Sequence, residues 1–371
     1  MKYRDVELYY QQALDNVGTK IMDLRTTDPI SAIRLSFFGT NGSASNKSNF
    51  INDVITKIEL VDGSDQLLSL SMKEAQAIQF RRTAKMPYMR PGEKNDGSQE
   101  EQVMLLFGRY LWDPDYFMDL TKFRNPQLKI TTNIAAVRAI GTDAFATGSL
   151  KVTIDLLVIQ EGAAAAKGFF MSKNIYGFTS GTSGDEHIDM PMDYPYAGLM
   201  VRAYTAGNDI DENISKIKLN CDAGKFIPFE KWIKDLYKHE EEDFGAAEMR
   251  YYLFRKNGET IYHPINHDPI VSLEPWIANR ITCAQFSWSG AFALYLSDAA
   301  GAAVTSEEMI GLIVKGSCPH STIFVPFGLK QEVESFFDPK VFGDIDLVLT
   351  QKAASAVDVV LVQVRPYGAA A

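Results

Sequence analysis

Cysteine is scarce in this chain. Three residues in 371, Cys221, Cys283 and Cys318, stand far apart in the second half, with no CxxC spacing. That fits packed, reduced thiols in a protein made inside a cell, with a reactive or metal-binding role the lesser reading. Long apolar runs are missing too: none approaches the roughly 20 residues that span a bilayer. The opening stretch, MKYRDVELYYQQALDNVGTK, lacks the apolar core of a secretory leader. Positive charge is in deficit, with 37 Lys and Arg against 47 Asp and Glu and a net charge of -10. The densest basic spot, Arg81-Arg82 with Lys85, is followed at once by Glu93, Asp96, Glu100 and Glu101. A protein that coats nucleic acid needs clustered cations to neutralise phosphates, so direct nucleic-acid contact is disfavoured.

Catalytic signatures are absent as well. GTSG and SWSG are not the G-x-S-x-G nucleophile elbow, and no glycine-rich phosphate loop occurs. His263-Pro264-Ile265-Asn266-His267 has HxxxH spacing, but Pro264 and strand-like flanks make it a loop, and the Glu of HExxH is missing. Asp185-Glu186-His187 with Asp189 and Asp193 forms an acidic cluster in a Gly/Ser-rich stretch. It lacks the spaced ligands of a calcium loop and reads as a solvated loop. Asp113-Pro114-Asp115 reads as a turn closed by an Asx bond. His320, after Cys318-Pro319, has no partners in sequence and reads as structural. Among 47 carboxylates no pattern selects a hydrolytic pair. No catalytic, cofactor-binding or metal-ligating residue is assigned, and no cofactor is expected. The 22 Phe, 16 Tyr and 4 Trp are spread along strands, where they build cores and subunit contacts.

What is present is a repeated phrase. In ITKIELVDG, Thr56, Ile58 and Leu60 face one side and Lys57, Glu59 and Val61 the other, the period of a half-buried strand. Asp62-Gly63 predicts a type I′ hairpin turn into QLLSL. Ser71-Met72-Lys73-Glu74 is a capping box that starts a helix running to about Arg82. The same order returns at ISKIKLN, where Ile214, Ser215, Lys216, Ile217 and Leu219 match and Ser215, Ile217 and Leu219 are placed inward. A turn at Ala223-Gly224 follows, then a helix with an apolar stripe of Phe229, Trp232, Ile233, Leu236 and Tyr237. AGLMVRAYTAGN echoes ISAIRLSFFGTNG. Each half closes on a strand pair read as a hairpin, LKITT with KVTIDLLVI and DIDLVLT with VDVVLVQV. Extra loops are expected around 180–196 and 240–275.

Two tandem copies with about eight short strands each predict an all-β chain. The expected fold is two eight-stranded jelly-roll barrels, a double jelly roll, with short helices in the connections. Residues 1–25, with Tyr9, Leu14, Val17 and Ile21 at roughly helical spacing, read as an amphipathic helical arm. The first jelly roll then spans 26–162 and the second 163–371.

The phrase from Ile55 to Ile78, with Lys57, Ile58, Leu60, Asp62, Gly63, Leu67, Leu70, Ser71, Glu74 and Ala77, resembles the N-terminal jelly roll of the double jelly-roll major capsid proteins. These build tailless icosahedral viruses, particularly marine bacteriophages with an internal membrane. The resemblance implies a structural virion protein: a homotrimer of pseudo-hexagonal outline that tiles an icosahedral shell assembled in the host cytoplasm. It implies neighbouring trimers as partners, with penton, minor capsid or membrane proteins beside them. It also implies outer decorations from the second domain's loops and an N-terminal arm near the membrane. The alternative is a carbohydrate-active or amide-cleaving hydrolase on paired jelly rolls, which predicts buried carboxylates of raised pKa in a cleft between the domains. A bicupin needs an H-x-H metal site that none of the five histidines provides.

Overall fold

The computed structural model describes residues 2–44, 46, 49–139, 142–162, 165–255, 260–264, 268–277, 281–298 and 308–367. The first lobe contains, in order, β1 (Lys2–Ala13), β2 (Val17–Asp23), β3 (Ile30–Thr40), α1 (Ile51–Val54), β4 (Ile55–Asp62) and β5 (Asp65–Leu70). After helix α2 (Met72–Thr83) come β6 (Met89–Arg90), β7 (Ser98–Leu106) and β8 (Pro126–Asn133), the short pair β9 (Arg138–Ala139) and β10 (Thr142–Asp143), and β11 (Lys151–Glu161). One sheet runs β1-β11-β3-β7-β6 and the facing one β2-β8-β4-β5. Alternate residues of both sheets, such as Ile33, Leu35, Ile58, Leu60, Leu128 and Ile154, are fully buried between them. Burying one such side chain stabilises by about 1.5–3 kcal/mol.

The second lobe repeats this plan with β12 (Gly168–Thr179), β13 (Asp185–Asp189), β14 (Tyr196–Tyr204), α3 (Ile210–Asn213), β15 (Ile214–Cys221), β16 (Phe226–Trp232) and α4 (Ile233–Phe244). An inserted module follows: β17 (Ala247–Arg255), β18 (Thr260–Tyr262), β19 (Asp268–Ile277), β20 (Ile281–Trp288), β21 (Ala291–Asp298) and β22 (Glu308–Cys318). The lobe closes with β23 (Thr322–Pro326), β24 (Ile345–Gln351) and β25 (Ala356–Pro366). Its sheets run β12-β25-β14-β23 and β13-β24-β15-β16. Strand for strand this is the connectivity of the first lobe, so both lobes are jelly rolls. The insertion forms two three-stranded sheets, β17-β22-β19 and β18-β21-β20, packed on Phe50, Met86 and Met89 of the first lobe.

The duplication reaches down to a defect. In β4 the pairing with β8 slips between Ile55 and Lys57, and in β15 the pairing with β24 slips between Ile214 and Lys216. Each bulge turns its isoleucine fully inward, so Ile55 and Ile214 fill the slots expected for Thr56 and Ser215; Thr56 is exposed.

Other expectations are corrected. Residues 2–25 hold no helix: β1 pairs along β11 and β2 along β8 as strands of the first barrel. The helical spacing of Tyr9, Leu14, Val17 and Ile21 is coincidental, and pairing with a waiting sheet edge overrides it. The closing strands are not hairpins either. β8 and β11 lie in opposite sheets of one lobe, and β24 and β25 in opposite sheets of the other. Phe229 and Trp232 belong to strand β16, and the helix starts only at Ile233. The first hairpin turns on Gly63-Ser64, with Gly63 at φ 62, while Asp62 pairs with Asp65 and its carboxylate accepts the Arg124 and Asn125 N–H groups.

Candidate functional site

The sequence candidates do not converge. Asp185-Glu186-His187 and Asp189 lie on β13, a strand rather than a loop; the first three side chains have local partners, and Asp189 is exposed. Thr350 donates to Asp185 at 2.7 Å, Tyr176 to Glu186 at 2.8 Å, and His187 Nδ1 lies 2.8 Å from Asp346, whose carboxylate raises the imidazole pKa. Asp193 accepts from Gln363 at 2.7 Å. Among the described residues no three His, Cys, Asp or Glu side chains are grouped to hold a metal ion. His267 lies outside the described residues, and His263 is half-buried. Asp113 closes the expected Asx turn by accepting the Asp115 N–H at 3.0 Å, and it also grips Arg109 through two oxygens. Cys221 and Cys318 are buried, with the Cys221 thiol pushed up to about 11 by burial.

What the structure does assemble is a polar seam between the lobes, and α2 is its axis. Ser71 and Glu74 form the expected capping box, the Ser71 N–H donating to Glu74 at 2.6 Å. Glu74 reaches across as well: Asn174 on β12 donates to it at 2.8 Å and to Asp358 on β25 at 3.1 Å, and Arg202 on β14 holds Asp358 at 3.2 Å. These groups line a polar cleft of about 480 Å³ with Asp53 and Lys73, which pair. Burial first, then the charge of Asp358, raises the Glu74 pKa.

Deeper in, Glu101 on β7 is fully buried. It accepts the Ile51 N–H at 2.9 Å, which caps α1, and Gln76 Nε2 at 3.3 Å. Burial pushes its carboxyl to about 8. Gln76 Oε1 in turn takes Asn52 at 3.2 Å and faces His320 Nε2 at 2.9 Å. His320 therefore has a partner that its sequence context does not reveal, 244 residues away. At the end of α2, Arg81 donates to the Thr322 carbonyl at 3.0 Å and pairs with Glu240 on α4, both side chains almost wholly buried. Burial pushes Glu240 to about 7 although Arg81 opposes it. On the seam's other flank, Arg365 holds Asp65 through two hydrogen bonds of 2.7 and 2.9 Å. Sequence reasoning paired only Ser71 with Glu74 in this group; it named Arg81 as part of a basic spot and His320 as structural, without their partners. One signal was available: polar and apolar residues do not segregate on α2, as for a helix buried on more than one side.

The seam joins unlike edges. β5, an edge of the first lobe, meets β12, an edge of the second, at Ser69 and Lys173, and the two sheets continue into one of eight strands. The matching outer edges, β16 and β1, carry exposed aromatics: Phe226 and Trp232 on β16, Tyr3 and Tyr10 on β1.

Compared over its whole length with solved structures, the chain overlays the MCP of Sulfolobus turreted icosahedral virus with a TM-score of 0.61, 11% identity and 100% coverage of both chains. The chain has the double jelly-roll fold. The same fold is seen in the major capsid protein of bacteriophage PM2 (TM-score 0.54, 8% identity, 100% of this chain and 99% of that one). VP54 of PBCV-1 is similar too (0.57, 10%, 98% of this chain and 93% of that one). No family model and no curated protein sequence matches the chain. In this double jelly roll the polar seam stitches one barrel to the other, while the free edges stay open to further contacts.

Proposed function

We propose that this chain is the major capsid protein of an icosahedral virus, acting as a homotrimer in the virion shell. The observation that carries the reading is the fold's full-length match, both lobes together, to capsid proteins of STIV and PM2. The geometry of the seam supports it. Within one chain the β5 edge meets the β12 edge; repeated between chains, the same step brings β16 of one copy onto β1 of the next. The β1 side offers an apolar landing, since Tyr3 stacks on Trp112 at 4.3 Å beside the buried Leu106 and Leu157. The β16 side offers Ile227 and Trp232, the latter 56% exposed. A head-to-tail contact between unlike edges closes into a ring when its rotation permits, and three copies of two lobes make a ring of six.

On this reading the lobes divide near 162–163, neighbouring trimers and vertex proteins are the partners, and assembly takes place in the host cytoplasm. With residues 2–23 built into the barrel, contact with an internal membrane falls to the lobes themselves. No reaction is assigned. A hydrolase would also want carboxylates of raised pKa between the lobes; of the three found there, Glu101 and Glu240 are buried and hold the backbone N–H groups of Ile51 and Phe324, and Glu74, which lines the polar cleft, is tied to the Ser71 N–H and to Asn174.

Mass photometry tests the proposal. Three copies of 41.4 kDa give a particle of about 124 kDa that persists on dilution, and Trp232→Glu reduces it to monomer with unchanged circular dichroism. A wild-type chain that is monomeric at micromolar concentration refutes it.

A further inference from the structure

A cavity of about 100 Å³ lies in the seam, walled by Phe170, Phe244, Phe324 and Phe336 and by the cationic side chains of Arg81, Arg82 and Lys330. Its charges do not balance. Arg81 is neutralised by Glu240. Arg82 rests on neutral groups, donating to the Leu106 carbonyl at 2.7 Å and to the Gly108 carbonyl, with Phe170 under its guanidinium. Lys330 Nζ donates to the Arg82 carbonyl at 2.6 Å. Neither Arg82 nor Lys330 makes an ion pair among the described residues. Arg82 is part-buried with the Asp113 carboxylate acting on it, and Lys330 stands exposed at the rim, so two positive charges face one small, mostly apolar space.

A second observation points the same way. The Arg81 side chain is 1% exposed, and its Nε and Nη1 are buried without a hydrogen-bond partner. A guanidinium presents its N–H groups as a fork suited to an anion. Unused N–H groups of a buried guanidinium, beside two cations that make no ion pair of their own, are what a bound anion would satisfy. Waters, at about 30 Å³ each, would satisfy the N–H groups but leave the charge.

We infer that the cavity is a binding site for one small monovalent anion, of halide to acetate size, that ties α2 of the first lobe to the Phe324–Lys330 segment of the second. Neither lobe forms the site alone: Arg81 and Arg82 come from α2, and Lys330 and the facing aromatics of α4, β23 and the segment up to Phe336 from the second lobe. The ligand therefore acts as a fastener for the seam, and folded stability depends on which anion is present. This holds whether or not the chain builds a shell.

The test has two arms on the purified full-length protein. Crystals soaked in bromide are expected to show an anomalous peak inside the cavity, within hydrogen-bond distance of Arg81. Replacing gluconate by chloride at constant ionic strength is expected to raise the melting temperature by about 2–4 °C with saturation, as for a ligand bound only by the folded state. That rise should vanish in Lys330→Met, a change at the rim that leaves the fold intact, and in Arg82→Gln if that variant folds. Ordered waters alone, a salt response equal for all anions, or a bromide peak with no chloride-dependent stabilisation (an adventitious ion only) each overturns the proposal.

Discussion

Glu101 should make the protein most stable on the acid side of neutrality. Its carboxyl is fully buried and is pushed to about 8, by burial first and by the charge of Asp53 second, from an ordinary value of 4.5. Between those two values the folded protein holds a proton that the unfolded chain releases. Stability from this group is therefore complete below about pH 4.5 and is lost as pH rises through about 8. The interval from 4.5 to about 8, at about 1.4 kcal/mol per pH unit, amounts to roughly 5 kcal/mol. That is a large part of the 5–15 kcal/mol typical of a folded domain. Glu101→Gln mimics the protonated form, since its amide oxygen still accepts the Ile51 N–H that Glu101 accepts at 2.9 Å. Urea unfolding at fixed protein concentration, from about pH 5 to about pH 9, is the assay. The variant should match wild type within about 1 kcal/mol at the acid end and exceed it by several at the alkaline end. Parallel curves across the range would show that burial does not protonate Glu101 and would refute the reasoning.

Three further outcomes follow from the same contacts. Arg81→Met leaves the buried Glu240 carboxylate without its cation and should cost about 3–5 kcal/mol in urea unfolding, most of which Glu240→Leu in the same chain should restore. Ile55→Ala and Ile214→Ala empty equivalent, fully buried bulge positions; each should cost about 2–5 kcal/mol, and the two losses should add. Asp346→Asn should return the raised His187 pKa towards its ordinary 6.5, seen in an NMR titration. It should leave stability within about 0.5 kcal/mol, because His187 is exposed and Asp346 only part-buried.

The parts of the fold legible in the sequence were those set by short-range rules. Period two in β4 and β15 beyond the bulge, at Ile58 and Leu60 and at Ile217 and Leu219, and reciprocal capping by Ser71 and Glu74 are local, and the structure reproduces them. The first 23 residues misread because a strand at a barrel edge, half exposed, carries a weak period, and the helical spacing of four residues competes with it. Nothing local tells β8 and β11 that they belong to opposite sheets; that is decided by which neighbours each strand finds. The seam was the least legible part. Gln76, Glu101, Arg81, Glu240 and His320 are ordinary polar residues in sequence, and only contacts spanning up to 244 positions turn them into a buried network.

Duplication makes the seam more than an internal contact. Two lobes with the same strand order, the same helix between the hairpin and the next strand, and the same bulge present the same pair of edges twice. One pairing, β5 with β12, is used up inside the chain, which leaves one edge of each kind, β16 and β1, unpartnered among the described strands. Under the proposed assembly, unlike edges left over at the two ends give head-to-tail growth, and the rotation between lobes within the chain is then the rotation between chains. If that rotation is a sixth of a turn, growth stops at three chains; any other value gives a different ring or an open filament. On the proposed head-to-tail contact the angle relating the two lobes about their common seam sets the ring size, and a trimer whose inter-chain lobe angle departed from the intra-chain one would show that the two seams are built differently.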